Sequence, residues 1–450
     1  MEFNRSEFDN NELLEIYKKL LLPRLIEEKM LIYLRQGKIS KWFSGWGQEG
    51  ISVGSTYAMD EEEYILPMHR NLGVFTTRNI PLYRLFSQFQ GKADGFTKGR
   101  DRSFHFGSQE HRIIGMISHL GPQLGIADGI SLAEKLKKSK RSTLVFTGDG
   151  GASEGDFHEA LNVAAVWDLP VIFVVENNCW GLSTPSNEQY RFKHFVDKGI
   201  GYGMKAEQVD GNNILDVISA IRKAKADQKK NPAPILLELM SFRMRGHEEA
   251  SGTKYYPDGI QDEWKEKDPV TSYTNFLKKE KILTDDLEKE INDQIKKEIT
   301  ESFDKANKET AIIPSIKDEL EDVYCQHENA ITTPATKSTS EKRFIDAISE
   351  SLKESMTRYP DMVIMGQDIA EYGGAFKVTE GFVDLFGKDR VRNTPLCESA
   401  IVGASLGLSI SGIKSVMEMQ FSDFVTCGFN QIVNNLAKIH WRWGQKADVV

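Results

Sequence analysis

Gly148–Trp180 reads GDGGASEGDFHEALNVAAVWDLPVIFVVENNCW, and the places where its apolar runs break decide the fold. The residues just before it, Thr143–Thr147, form a β-branched and aromatic run suited to a buried strand. That run stops at Gly148-Asp149-Gly150. A helix-like segment follows from about Asp156 to Trp167, Asp168–Pro170 punctuate, and Val171–Val175 is a second apolar strand ending on Glu176-Asn177-Asn178. This is a strand–helix–strand unit of a parallel α/β sheet. Oxygen-bearing side chains stand at the carboxyl ends of both strands, where such sheets place their ligands.

Those side chains suit a hard cation. Asp149 offers a carboxylate, Asn178 an amide oxygen, and a chain turning sharply at Cys179-Trp180 can present a backbone carbonyl. Three such oxygens plus two from a diphosphate match the octahedral shell of Mg²⁺. Glycines flanking Asp149 let the backbone approach phosphate closely. Two ordinary turns in a Rossmann-like sheet would use the same residues, whereas a nicotinamide site needs G-x-G-x-x-G, whose third glycine GDGGASEG does not place correctly. GDG, then 26 residues (Gly151–Glu176), then NN resembles the thiamin diphosphate fingerprint of the thiamin-dependent enzymes. The resemblance implies that Asp149, Asn178 and the Trp180 carbonyl hold Mg²⁺. The metal in turn holds the diphosphate of thiamin diphosphate, with Gly148, Gly150, Gly151 and Ala152 against it.

At 450 residues the chain has room for two or three domains. A net charge of −9 and a pI of about 5.7 argue against general nucleic-acid binding. The four cysteines (Cys179, Cys325, Cys397, Cys427) form no C-x-x-C pair and no zinc spacing, which fits free thiols in a reducing compartment. The amino terminus, MEFNRSEFDN, has no apolar core of a signal peptide, and no apolar run approaches a membrane span. A cytoplasmic protein without membrane attachment is expected.

Asn11–Gln36 has the spacing of an amphipathic helix, and Lys41–Gly54 (KWFSGWGQEGISVG) is a glycine- and tryptophan-rich turn before a small-residue helix. GQEG before a helix resembles the α chains of the 2-oxo acid dehydrogenase complexes. Within that resemblance His69 and Arg70 of YILPMHRNLG are cofactor-binding, Arg70 reaching the diphosphate as a bidentate donor. The basic block Lys98–Gly107 (KGRDRSFHFG), ending near His105, lies beside the active site. Ser118 and Leu120 of Ile117–Gly125 lie against the cofactor, ahead of a helix starting near Gly125. After the strand Pro234–Met240, Phe242–His247 (FRMRGH) brings the family's catalytic histidine, His247, on a mobile loop. Glu248-Glu249-Ala250 replaces the serine that kinases phosphorylate in mitochondrial α chains, so no switch of that type is expected. Thr284–Lys308, with Leu287, Ile291, Ile295, Ile299 and Phe303 every fourth residue, is an amphipathic helix with a solvated face.

The fold expected is α/β, a thiamin diphosphate-binding fold of parallel sheets flanked by helices. Residues 1–315 form an α-chain-like diphosphate-binding domain with a helical extension, 316–342 a linker, and 343–450 a β-chain-like, partial pyrimidine-binding domain. The second module is read from Phe344–Met356 (helix), Met362–Met365 (strand), GQDIAEYGGAFKVTEGFVDLFG and RVRNTPLCESAIVGAS, which resemble the β chain of the same dehydrogenases. Glu398 opens a helix there. An acidic residue at a helix start also complements the dipole. The resemblance makes Glu398 the catalytic carboxylate that hydrogen-bonds the aminopyrimidine ring and activates the cofactor. Gln420 and Phe424 take places near that ring, Phe424 as its stacking partner. Asp448-Val449-Val450 reads as the start of a strand, so a fragment of a longer fused protein is expected, inactive or impaired as it stands.

The resemblance implies an oxidoreductase: oxidative decarboxylation of a 2-oxo acid and acylation of the lipoyl domain of a partner acyltransferase, in a homodimer. ISHLGPQLG and ASEGD lean toward branched-chain 2-oxo acids such as 2-oxoisovalerate. Pyruvate or acetoin dehydrogenase, a transketolase, and a non-catalytic cofactor-binding scaffold are the alternatives.

Overall fold

Alternate side chains of the two central strands enter two different cores, and that division places the site. The computed structural model describes residues 1–101, 104–116, 118–326, 331, 333, 335–444, 447 and 449. The first strand of the fingerprint is β2 (Thr143–Gly148) and the second β3 (Val171–Asn177), parallel, with Thr143 opposite Val171 and Gly148 opposite Glu176. With β1 (Ile65–Leu66), β4 (Lys205–Asp210) and β5 (Ile235–Met240) they make an all-parallel sheet of order β1-β2-β3-β5-β4. Leu144, Phe146, Ile172 and Val174 enter one core, Val145, Val171, Phe173 and Val175 the other. Burial on both faces is why these strands read as unbroken apolar runs.

On the first face lie α1 (Asn10–Arg35), α2 (Glu49–Tyr57), α5 (Ile214–Lys230) and α6 (Asp285–Asn307). Asp9 caps α1 by accepting from the Asn11 and Glu12 amides at 2.8 and 2.9 Å. The α6 stripe Ile291, Ile295, Ile299 and Phe303 is buried. On the second face lie α3 (Pro122–Leu136) and α4 (Gly155–Val166). The α3 helix starts at Pro122 rather than near Gly125, because proline at the first helical position loses no hydrogen bond and brings a preset φ.

The expected linker contains a short helix, α7 (Ile316–Asp322), held by charge rather than by a core. Arg100 pairs with Glu319 and Asp322, each at 2.7 Å, and Lys98 with Asp322 at 2.7 Å. Lys98 and Arg100 of the basic block thus serve α7, whereas Phe104, His105 and Phe106 are buried and His105 stands close enough to His69 to lower its pKa. Arg102 and Ser103 of that block, Ile117 of the next loop, residues 327–330, 332 and 334 of the linker, and Asp448 and Val450 lie outside the described residues.

The second module begins with α8 (Phe344–Arg358) and a parallel three-stranded sheet of β6 (Val363–Gly366), β7 (Val391–Asn393) and β8 (Ser415–Met417), in the order β8-β6-β7. Val449 bridges Ser415 in parallel, in keeping with a strand there. Its helix α9 (Glu398–Ile410) crosses α3 on small residues, Gly125 and Gly129 against Ala400, Gly403, Ala404 and Gly407. Val363, Ile401, Leu406 and Leu408 continue the core that starts at the first sheet. Among the described residues no helix is long and apolar enough to cross a membrane.

Candidate active site

A cavity of about 400 Å³ opens at the carboxyl ends of β2 and β3. Its floor is the Gly148–Gly151 turn. Gly151 must be bare, since a Cβ there would sit 2.8 Å from Thr147 Oγ1 and 3.2 Å from the Leu120 side chain. Asp149 is buried, and among the described residues one carboxylate oxygen has no hydrogen-bond partner. Burial pushes its pKa up to about 6, against the lowering effect of nearby backbone amides. Asn178 and Trp180 line the same wall, where Cys179, at φ +64, reverses the chain and the Trp180 amide donates to Asn178 Oδ1 at 3.1 Å.

The facing wall is cationic. Arg70 is 6 % exposed and Arg243 2 %, and among the described residues neither has a carboxylate partner. Arg70 donates to the Ser44 and His247 carbonyls at 2.9 and 3.0 Å. Arg243 donates to the Leu182 carbonyl and the Tyr255 hydroxyl at 2.7 and 2.8 Å. Burial first, and then Arg243, lower the Arg70 pKa to about 9, so Arg70 remains charged at neutral pH. His247 Nδ1 lies 3.2 Å from Arg70 Nη2. A guanidinium can only donate, so Nδ1 accepts and the ring proton belongs on Nε2. Burial, Arg70 and Arg243 together lower the His247 pKa to about 3, and the same kinds of neighbour hold His69 neutral.

His69, Arg70, Ser118, Leu120, Gly148, Asp149, Gly150, Gly151, Asn178, Trp180 and His247 all line this one cavity. Ala152 does not: it is fully buried beneath the turn, its carbonyl accepting from Lys198 at 3.1 Å. Glu398, Gln420 and Phe424 are also absent from its lining. They form a separate group, in which Gln367 Nε2 donates to Glu398 Oε1 at 2.9 Å and Gln420 Nε2 to the Gln367 carbonyl at 3.3 Å. Phe424 stands edge-on to Phe421 at 5.3 Å. The two groups are joined at the start of α9: Ser399 Oγ donates to Asp156 and the Ala400 amide to Glu159 Oε2 at 3.0 Å, while Gly121, one residue past Leu120, packs on Asp156.

Arg243 and Glu176 were not legible as site residues. Two arginines before a histidine read as solvated charge, and only the position of Arg243 just past the end of β5 could have flagged it. Arg245 does meet that description, pairing with Glu249 at 2.6 Å. Glu176 lines the cavity and accepts from Asn71 Nδ2 at 2.5 Å and Gln48 Nε2 at 3.1 Å. Burial is the main reason its pKa rises to about 7.

The arrangement fits a diphosphate with a divalent cation. Among the described residues no cluster of three or more His, Cys, Asp or Glu side chains could hold a metal, so a cation here rests on Asp149 with amide and carbonyl oxygens. That set calls for a hard ion whose shell a phosphate completes. Unpaired buried guanidiniums opposite it supply the charge such an anion requires.

Residues 17–315 match the family model described as dehydrogenase E1 component, and residues 340–447 the one described as transketolase, pyrimidine binding domain. The chain is 34 % identical over 320 residues to the 2-oxoisovalerate dehydrogenase subunit alpha of Bacillus subtilis, covering 70 % of this chain and 96 % of that one. The mitochondrial 2-oxoisovalerate dehydrogenase subunit alpha of Dictyostelium discoideum is 34 % identical over 320 residues, 70 % of this chain and 72 % of the relative. That of Bos taurus is 31 % identical over 315 residues, 70 % of this chain and 69 % of the relative.

Proposed function

This chain belongs to the dehydrogenase E1 component family, and we propose that it decarboxylates a branched-chain 2-oxo acid and passes the acyl group to the lipoyl group of a partner acyltransferase. The family is thiamin diphosphate-dependent and works with a lipoyl acyltransferase. The observation that carries the reading is the cavity itself. Among the described residues, one wall offers Asp149, with an unpartnered carboxylate oxygen, beside Asn178, and the other offers Arg70 and Arg243 without carboxylate partners. The branched-chain assignment is supported by relatives that are 2-oxoisovalerate dehydrogenase α subunits.

When bound, thiamin diphosphate supplies a nucleophilic thiazolium carbon and accepts the electron pair released as CO₂ leaves. Asp149, Asn178 and the Trp180 carbonyl hold Mg²⁺, and Arg70 and Arg243 grip the diphosphate. Leu120, over Gly151, excludes water beside the ring. The neutral His247 has Nε2–H free to donate a hydrogen bond or a proton to the acyl acceptor. Glu398, with Oε1 committed to Gln367, keeps Oε2 for the aminopyrimidine nitrogen. Gln420 holds Gln367 in turn, and Phe424 offers a ring face for stacking.

The division into 1–315, 316–342 and 343–450 is part of this proposal, with α-like and β-like halves fused in one chain; the two family matches, falling in succession along it, support this. A homodimer is supported by Phe421, Val425 and Phe429, which leave an exposed apolar surface that a second copy would cover. A cytoplasmic location is supported by four free thiols. The test is reduction of an artificial electron acceptor with Mg²⁺ and thiamin diphosphate, across 2-oxoisovalerate, pyruvate and 2-oxoglutarate. Preference for 2-oxoisovalerate is expected. Preference for pyruvate, or product formation without a 2-oxo acid, would overturn the substrate assignment.

A further inference from the structure

The turn Trp42–Gly47 contacts both halves of the cationic wall. The Ser44 carbonyl accepts from Arg70 at 2.9 Å, and Gly45 lies so close to Arg70 that a Cβ would meet its carbonyl at 2.7 Å. The Trp46 carbonyl accepts from the Met244 amide at 3.0 Å and the Trp42 carbonyl from the Glu249 amide at 3.1 Å. The segment carrying Arg243 and His247 is therefore fastened near both ends to this turn. The turn in turn rests on α1. Glu27, 1 % exposed, accepts from Trp42 Nε1 at 2.5 Å through one carboxylate oxygen and from the Gly45 amide at 2.7 Å through the other. One helical turn earlier, Arg24 reaches Glu49 at 2.6 Å, and Glu49 accepts from the Gly47 amide at 2.9 Å.

We propose that Glu27 is a positioning residue for cofactor binding: by holding both ends of the Trp42–Gly45 turn it sets where Arg70, Arg243 and His247 stand. The inference rests on the diphosphate reading of the cavity. A carboxylate is required because two donors converge on it from different directions. Glutamine keeps one acceptor oxygen, leaves the other donor facing an NH₂ group, and so frees one end of the turn.

The same geometry makes the grip proton-sensitive. The Glu27 pKa stands at about 7: burial is the main cause of the rise, hydrogen bonds from Trp42, Gly45 and Ser44 oppose it, and Glu49 adds to it. Arg70 and Arg245 face it with opposite charge. Below that pH Glu27 is protonated and loses an acceptor, so anion affinity conferred through Glu27 is present above about pH 7 and lost beneath it.

The test uses the full chain with inorganic pyrophosphate and with thiamin diphosphate, each with Mg²⁺, titrated calorimetrically from pH 6 to 8, alongside hydrogen exchange. Glu27→Gln is expected to weaken both ligands about tenfold at pH 8, to speed exchange at the Gly45, Met244 and Glu249 amides, and to flatten the fall in affinity toward pH 6 seen in the wild type. Should Glu27→Gln fail to fold, Trp42→Phe removes one of the two donors and is expected to shift affinity and exchange in the same direction. Wild-type affinity and pH dependence in a folded Glu27→Gln, or unchanged exchange at those three amides, would overturn the inference. So would an unchanged folded Trp42→Phe where it stands in. Failure of the wild type to bind either ligand would instead overturn the diphosphate reading.

Discussion

Substituting alanine for Gly129 separates the two modules without touching the cavity. A Cβ on Gly129 would lie 2.0 Å from the Ala404 carbonyl oxygen and 2.7 Å from its Cα and carbonyl carbon. A carbon–oxygen contact needs about 3.3 Å, so α3 and α9 must part by roughly 1.3 Å at their crossing. The neighbours are helix backbone, which cannot rotate aside, and overpacking of this kind costs about 1–3 kcal/mol. That converts to about a 5- to 150-fold loss in the docking equilibrium. Alanine improves an isolated helix by up to about 1 kcal/mol, so a loss cannot be assigned to α3 itself. Calorimetry should show thiamin diphosphate affinity reduced within that range and inorganic pyrophosphate affinity within twofold of wild type, because only the larger ligand requires both modules. Equal thiamin diphosphate affinity in a folded Gly129→Ala would refute a cofactor spanning this crossing.

Two further outcomes follow from carboxylates. Asp128 is fully buried in α3, neither carboxylate oxygen has a partner among the described residues, and burial holds its pKa well above the usual aspartate range. Its folded pKa exceeds its unfolded one, so folding takes up a proton and stability falls as pH rises above about 4, by up to about 1.4 kcal/mol per pH unit. The melting temperature of Asp128→Asn should therefore exceed that of the wild type by more at pH 8 than at pH 5, and a gap that is constant or shrinks would contradict this. Glu398→Gln should bind thiamin diphosphate within about tenfold of wild type but slow exchange of the thiazolium C2 proton, followed by NMR, more than about 100-fold. Undiminished exchange would remove Glu398 from cofactor activation.

The sheet could be read from sequence because strands buried on both faces carry continuous apolar runs, and Gly148 and Asn178 mark where the two runs stop, with Pro170 marking where the second begins. Asp149, Asn178 and Trp180 could be placed at one cavity for the same reason: they follow strand ends. Of the cationic wall, Arg70 was legible from its resemblance and Arg243 was not, since its position depends on a turn, Trp42–Gly47, that looks like ordinary packing until Glu27 is seen beneath it. Charge misled twice, in opposite directions. Arg243 looks solvated and is buried, whereas Lys98 and Arg100 look like site residues and instead hold α7. The α3–α9 crossing was hidden because Gly125, Gly129, Gly403 and Gly407 give a helix no apolar stripe, although they permit a close backbone approach.

Mg²⁺-dependent binding of thiamin diphosphate to Asp149→Ala, measured against the wild type, tests the metal-anchored cofactor most directly. The wild type should bind with Mg²⁺ and lose affinity in a chelator. Asp149→Ala should bind at least about 100-fold more weakly and gain nothing from Mg²⁺, as loss of the one carboxylate ligand requires. Tight, Mg²⁺-dependent binding by Asp149→Ala would contradict it.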